Sequence, residues 1–428
     1  MELKISSKLK ELREANGLSQ DEVAGKLGIS SQAISKWEQG EIEPDFRSLA
    51  MLADIYKINI ESLRDLTAAE QAERHEPNTK LLLITTGGTI GFESTEGVNV
   101  KKGVIAKHGF LNNVITNPKN NRIAIEVNNL FNIDSTSMTP GHWNRILDVL
   151  KQKHDDYDAF CITHGTNTMA QTASALSFGL ECFNKPVFLT GSQVPLGVEG
   201  SDANQNFENM IRLARDFYTL MKGVWVVVGA TVTTGVRIKK SSDVDYNAFS
   251  GHLDKRIIEF RPNGDVLVDE AALAKNNAYY EGNIVSVFHK YPTHIIASLN
   301  DHAGIDPEDV RVLVEHAGKK GFVYRGVGVG DVNQSMLEIL AYLREKHIPI
   351  VATTQIADGV ASMDTNIPGI MAKEHSAIPA YDMTIEAITA KMAYLIEKKT
   401  PYENFAGEML RSHKGEINAD KYIKSAIK

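Results

Sequence analysis

The run Leu81-Leu-Leu-Ile-Thr-Thr-Gly-Gly-Thr-Ile90 constrains the fold more than any other stretch, and it has an echo at Phe160-Cys-Ile-Thr-His-Gly-Thr-Asn-Thr-Met169. Each is an apolar run too short for a helix, ends in β-branched residues and enters a Gly-Thr turn, a pattern that predicts a buried strand. Glycine lets the backbone turn sharply and lets a ligand approach without a Cβ in the way. In an open α/β sheet, ligands sit in the crevice beyond the carboxyl ends of the strands. Two neighbouring strands that both end in Gly-Thr therefore point two hydroxyls into one crevice, as a threonine nucleophile site requires.

The alternation continues. Pro186–Thr190 and residues 223–229 are further apolar, β-rich runs, with helical patterns between them at Pro140–Lys153, 170–182 and 204–219. Strand–helix alternation of this kind predicts a mostly parallel sheet covered on both faces. A smaller α/β unit follows, with strands expected at 284–288, 321–330 and 348–353 and an amphipathic helix at 384–397. Residues beyond about 405 are charged and carry no signal of their own. The expected division is residues 1–66, a linker at 67–79, α/β domains at 80–268 and 283–428, and a second linker at 269–282 between them.

Residues 1–66 form a helical unit. Residues 8–15 carry Leu9 and Leu12 at helical spacing. Ser19-Gln-Asp-Glu22 reads as a capping box opening a helix over 20–27, and Gly28 suits its left-handed C-terminal cap. Ser30 caps a second helix over 31–39, which Gly40 ends. Two short helices about a tight turn are a helix-turn-helix. Leu18-Ser-Gln, Ala24, Leu27-Gly-Ile-Ser30, Ile34-Ser-Lys-Trp-Glu38, Gly40 and Pro44 resemble the Cro/repressor (XRE) family of DNA-binding domains. The resemblance implies that Ser31, Gln32 and Lys36 read bases of double-stranded DNA, that Gln20 and Ser30 hold phosphates, and that Ile34 and Trp37 are core. Gln32 suits bidentate pairing with adenine. Against this, the unit holds nine Lys and Arg and twelve Asp and Glu, a net of −3. Non-specific affinity is therefore expected to be weak, and useful binding to need two such units on two half-sites.

Composition excludes several classes. No apolar run approaches the ~20 residues that cross a bilayer, and the charged first twelve residues do not form a signal peptide, so a cytoplasmic protein without membrane partners is expected. The two cysteines, Cys161 and Cys182, lack metal-ligand spacing and sit in apolar surroundings; small core residues are expected. His108, His142 and His154 show no ligand spacing, so no metal is expected. The glycine-rich loop at 86–91 lacks the Gly-Lys-Ser/Thr of a phosphate loop and the GxGxxG of a dinucleotide fold, and no cofactor is expected.

Thr86-Gly-Gly-Thr-Ile-Gly91 and Thr163-His-Gly-Thr-Asn-Thr-Met169 resemble the two signatures of the bacterial L-asparaginase/glutaminase family, type I (cytoplasmic) branch. The likeness continues through Asp134-Ser-Thr-Ser-Met-Thr139, Thr190-Gly-Ser-Gln-Val-Pro195, Arg237-Ile-Lys-Lys240, Gly328-Val-Gly330 and Asp382-Met-Thr-Ile-Glu386, covering roughly residues 80–410. It implies a two-domain asparaginase-like α/β fold, a homodimer or homotetramer, and an active site between domains completed by a partner subunit. It further implies that Thr89 attacks the side-chain amide carbon, that Thr166 and Lys240 support catalysis, and that Ser135, with Thr136 beside it, binds the substrate's α-carboxylate. Gly88 and Gly165, at strand-to-helix turns, line the substrate, and the amides of Gly87, Gly88 and Gly165 are candidate oxyanion donors. His164 reads as a structural histidine.

Two departures from the family pattern matter. Asn167 stands where the family has the aspartate that pairs with the substrate's α-ammonium. A hydrogen bond to a charged group is worth ~1.5–3 kcal/mol, so its loss is expected to weaken a free amino acid by ~10- to 100-fold. Removing that anion also lowers the pKa of Lys240. The lid after Thr89 lacks the family's activating tyrosine: residues 91–130 contain none, and Val98 or Asn99 falls near its place. Three functions fit these residues: an asparaginase-type amidohydrolase joined to a DNA-binding domain, a regulator whose pocket senses an amide without turnover, and the asparaginase-like subunit of a tRNA-dependent amidotransferase.

Overall fold

The computed structural model describes residues 5–42, 44, 46–58, 79–88, 92–94, 100–102, 123–195, 198–246, 248–253, 257–261, 264–282, 287–288, 290–418 and 420–422. The chain divides into two compact units, one of Met1–Asn78 with Asn113–Ala124 and one of Thr79–Asn112 with Ile125–Lys428. The linker expected at 67–79 lies, except for Thr79, outside the described residues.

The N-terminal unit contains helices Ile5–Ala15, Gln20–Leu27, Ser31–Gln39 and Phe46–Ile55. Its boundaries follow local chemistry. The Glu22 amide donates to Ser19 Oγ (3.2 Å) and the Ser19 amide to Glu22 Oε2 (2.7 Å), so the capping box is complete. Gly28 (φ 69°) and Gly40 (φ 74°) end their helices in the left-handed region. Leu9, Val23, Ala24, Ile34, Leu52, Ala53 and Tyr56 make the core, with Trp37 packed against it but only half-buried. Arg13 grips Glu38 through Nε (2.6 Å) and Nη2 (3.0 Å), and the Glu38 side chain is only 4% exposed.

The second unit is built on two sheets. Among the described residues the larger has eight strands, in spatial order Val266–Val268, Ile258–Phe260, Thr231–Thr234, Gly223–Val228, Pro186–Thr190, Ala159–Thr163, Thr79–Gly87 and Ile123–Ile133. The central pairs, from Gly223–Val228 through to Thr79–Gly87, are parallel, and the strands beyond Gly223–Val228 run antiparallel. The parallel strands are buried on both faces and so read as continuous apolar runs. The smaller sheet holds Ile296–Asn300, Gly321–Gly326, Ile350–Thr354 and Ile378–Pro379, parallel throughout. Of the strand expected at 284–288, residues 284–286 lie outside the described residues; Val287–Phe288 pairs antiparallel with Leu180–Glu181.

Two expectations change. The helix Ile385–Glu397 is not amphipathic in its setting: Ala387, Ile388, Ala390, Lys391, Met392, Ala393, Tyr394 and Leu395 are all buried. It packs on Met169–Gly179, itself buried at ten positions, and Phe178 meets Tyr394 with ring centroids 5.8 Å apart. Of its polar residues, Lys391 and Tyr394 are buried with partners, while Glu397 at the last turn stays exposed.

The charged tail likewise belongs to the core. Lys391 is fully buried, and its Nζ donates to the carbonyls of Met409 (2.8 Å) and Arg411 (2.6 Å) and to Glu416 Oε1 (2.5 Å). The Glu416 carboxylate also accepts from the amides of His413 and Lys414.

Candidate functional site

Register brings the two Gly-Thr turns together. The parallel pair Thr79–Gly87 and Ala159–Thr163 aligns Leu81 with Ala159 and Thr85 with Thr163. One residue beyond that last pair, the Thr86 hydroxyl donates to the Thr163 carbonyl (2.9 Å). Gly88 (φ 79°) then lies against Gly165 so closely that a Cβ would fall 2.3 Å from the Gly165 Cα. A Cβ on Gly165 would in turn fall 2.6 Å from Ser135 Oγ. Only glycine allows this stack of Gly88, Gly165 and Ser135. Thr89, the expected nucleophile, lies outside the described residues, and Gly88 is its chain neighbour.

Ser135 opens a short 3₁₀ turn, Ser135–Ser137, and is 3% exposed. Asp134 caps the turn: Oδ1 accepts from the Thr136 amide (2.8 Å) and from the Thr136 hydroxyl (2.6 Å). Thr136 is thus committed locally, whereas the Ser135 carbonyl is held by the Thr168 hydroxyl (2.7 Å). Thr166 starts a second 3₁₀ turn, Thr166–Thr168, and is 6% exposed, while Asn167 beside it is exposed.

Lys240 ends the strand Ile238–Lys240, which pairs antiparallel with Phe249–Gly251. Its Nζ donates to Thr166 Oγ1 (2.9 Å) and to Asn167 Oδ1 (2.8 Å). Both acceptors are neutral. Burial lowers the Lys240 pKa from its ordinary value, and the Asp243 carboxylate only partly opposes that. Arg237, three residues earlier, is a bolt rather than a ligand-facing cation. Its guanidinium donates to the carbonyls of Asp382 (2.9 Å), Glu416 (2.8 Å) and His252 (2.9 Å) and to Asp382 Oδ2 (3.0 Å). The motif Arg237-Ile-Lys-Lys240 therefore anchors one end of a short strand and delivers an amine from the other.

His164 is fully buried, and burial pushes its pKa down to about 4. Nδ1 must donate to the Gly165 carbonyl (2.7 Å), so Nε2 accepts from the Thr172 hydroxyl (2.9 Å). Thr172 in turn accepts from Trp143 Nε1 (3.0 Å). The histidine holds the turn and is not a base. The Gly88 amide donates to the Ile133 carbonyl (3.1 Å), so that N–H is already committed and Gly88 contributes close approach instead. Reasoning from sequence missed Thr168 and Thr172, the hydroxyls that fix this turn. It also missed Asp202, whose carboxylate staples the Thr190-Gly-Ser-Gln-Val-Pro195 turn through the amides of Gln193 and Val194. Hydroxyls give no periodic signal.

Thr166, Asn167, Lys240, Gly88, Gly165 and Ser135 thus meet at the carboxyl ends of the central strands. Residues 80–272 match the asparaginase N-terminal family and residues 296–408 the glutaminase/asparaginase C-terminal domain. The chain belongs to the asparaginase family. L-asparaginase 1 of Escherichia coli (strain K12) is 30% identical over 347 residues, covering 78% of this chain and 97% of that one. A glutamyl-tRNA(Gln) amidotransferase subunit of Aeropyrum pernix is 30% identical over 360 residues, covering 78% and 80%. The solved structure of the thermostable L-asparaginase from Thermococcus kodakarensis superposes with a TM-score of 0.69 at 29% identity, covering 79% of this chain and 99% of that one. This chain is thus an asparaginase-family amidohydrolase by descent, with a helix-turn-helix domain matched over residues 9–63.

In that N-terminal domain Gln32 and Lys36 are exposed on the Ser31–Gln39 helix and Ser31 is half-buried. Ser30 Oγ accepts the Ala33 amide (3.3 Å) as helix cap. Gln20 Nε2 donates to Glu38 Oε2 (2.9 Å), so Gln20 is tied to the Arg13–Glu38 pair rather than free. Among the described residues no helix is long and apolar enough to cross a membrane, and no cluster of metal-binding side chains occurs.

Proposed function

We propose that the α/β part of this chain hydrolyses the side-chain amide of L-asparagine or a related small amide to the acid and ammonia. Thr89 attacks the amide carbon, ammonia leaves, and water cleaves the resulting threonyl ester. Thr166 and Lys240 handle the protons and Ser135 takes the substrate's carboxylate. The observation that carries the reading is the Lys240 amine, 2.9 Å from Thr166 Oγ1 and 2.8 Å from Asn167 Oδ1, beside the Gly88–Gly165 stack. An amine whose pKa burial has lowered suits proton transfer at neutral pH better than an exposed lysine does. The test is ammonia release from asparagine, glutamine and their D-isomers.

Asn167 favours a second reading, in which the same cleft senses an amide without turning it over. Asn167→Asp is expected to tighten a free amino-acid amide by ~10- to 100-fold by supplying an anion for its α-ammonium. Calorimetric titration with asparagine checks this, and an unchanged affinity would remove residue 167 from substrate recognition. The likeness to an amidotransferase component supports a third reading, which tRNA binding by the full chain would favour.

Residues 1–66 bind double-stranded DNA through Ser31, Gln32 and Lys36 and couple amide level to transcription, in a cytoplasmic homodimer or homotetramer. Paired helix-turn-helix units respond to occupancy of the cleft only if ligand changes their relative placement. Footprinting on the chain's own promoter is expected to show paired half-sites about one helical turn apart, lost in Gln32→Ala/Lys36→Ala. Absence of any salt-dependent protection would leave the domain as an assembly element.

A further inference from the structure

A cavity of about 290 Å³ shares no lining residue with the threonine cleft; its walls are Thr233, Thr234, Arg237, Lys275, Tyr279 and Lys414 together with Asn276, Asn418 and a few apolar side chains. Three of the lining residues are basic and none is acidic. Some of that charge is already used: Arg237 is bonded to Asp382, and Lys414 Nζ donates to the carbonyls of Leu180 (2.8 Å) and Tyr279 (3.3 Å). The remaining donors suit an acceptor from outside the chain. Lys275 is exposed in the last turn of the helix Glu270–Ala278. The Tyr279 hydroxyl accepts from Ser412 (3.2 Å), which leaves its own proton free.

From this lining we infer a second small-molecule site that binds a short aliphatic carboxylate, its oxygens taking the Lys275 and Tyr279 protons and its carbon skeleton lying against Ile257 and Ile417. The size suits an acid of a few carbons better than a nucleotide. The Lys414 ammonium, lowered to about 8 by burial and 4.0 Å from the Tyr280 ring centroid, adds attraction in a poorly screened place. Position gives the site a consequence. The Arg237 amide donates to the Thr234 carbonyl (3.1 Å), and Ile238–Lys240 follows directly. The Arg237 guanidinium meanwhile holds the Glu416 carbonyl of the tail. A bound acid therefore ties Lys275 and Tyr279 to the tail beside the root of the Lys240 strand.

The test is calorimetric titration of the full chain with succinate, alongside hydrogen exchange. Saturable binding is expected in the wild type and in Lys240→Ala, which disables the threonine cleft. It is expected to weaken at least ~10-fold in Lys275→Glu and in Tyr279→Phe, the latter a substitution that removes the donated proton and keeps the ring. Succinate is also expected to slow amide exchange over residues 412–418 in the wild type and not in Lys275→Glu. Binding that disappears in Lys240→Ala and survives Lys275→Glu would assign the ligand to the threonine cleft alone and overturn the proposal, as would no saturable binding at all. Ammonia release from amides is unaffected by these outcomes, so the second site and the hydrolytic reading fail separately.

Discussion

Lys240→Ala is expected to lower ammonia release at saturating amide by about 10²- to 10⁴-fold, the range in which a positioned acid–base group contributes. Among the described residues the amine donates to Thr166 and Asn167, at 2.9 and 2.8 Å. Its removal should therefore leave the fold intact, and an unchanged unfolding midpoint in urea checks that. The pH profile gives a second reading. If the neutral amine is the active form, the rate rises with pH. Because burial holds the Lys240 pKa below its usual value, the rise should level off below the ~10.4 of a free lysine. Lys240→Ala should lose that limb of the profile. A rate in Lys240→Ala within threefold of wild type would remove the lysine from the chemistry.

Glu416→Gln should cost about 3–5 kcal/mol of stability, the penalty for leaving one member of a buried ion pair alone. That is a large share of the ~5–15 kcal/mol that holds a typical domain together. Both side chains are 0% exposed. Burial pushes the Glu416 carboxyl up, but the Lys391 ammonium and the amides of Lys414 and His413 more than offset it, and the net shift is downward. For Lys391 burial wins and its pKa falls. The carboxylate is held charged by the Lys391 ammonium and by the amides of His413 and Lys414.

A carboxyl whose folded pKa lies below its unfolded one stabilises the fold above the ordinary carboxylate range. That stabilisation is lost as pH falls through the folded value. Acid unfolding of the wild type should therefore be steeper than that of Glu416→Gln. The double variant Lys391→Met/Glu416→Gln should recover part of the loss, because it leaves no buried charge unpaired. Urea midpoints of the three proteins decide it.

Local signals were the most legible. Ser19, Glu22, Gly28, Ser30 and Gly40 each act within one turn of their own position, and the four boundaries they imply for two helices are the observed ones. The short apolar strands were equally plain, because burial on both faces leaves a continuous apolar run. What could not be read was pairing across long separations between polar residues. Arg237 and Asp382 lie 145 positions apart and Lys391 and Glu416 lie 25 apart, and nothing in either local pattern marks the partner. The tail carries no readable signal for that reason. The Thr166–Lys240 contact spans 74 positions and was legible only through resemblance to a family. Glycine was the one long-range clue with a physical basis. Gly88 and Gly165 stand where two backbones meet without room for a Cβ, and that meeting places Ser135 behind them.

The hydrolytic reading depends on Thr89 acting as a nucleophile beside the Gly88–Gly165 stack. The most direct measurement is the rate of ammonia release from L-asparagine, L-glutamine and the D-isomers by the full chain and by Thr89→Ala. Turnover of at least one amide by the wild type, reduced a hundredfold or more in Thr89→Ala, is the expected result. No ammonia from any of the four, with calorimetry still showing an amide bound, would contradict it and leave the cleft a sensor.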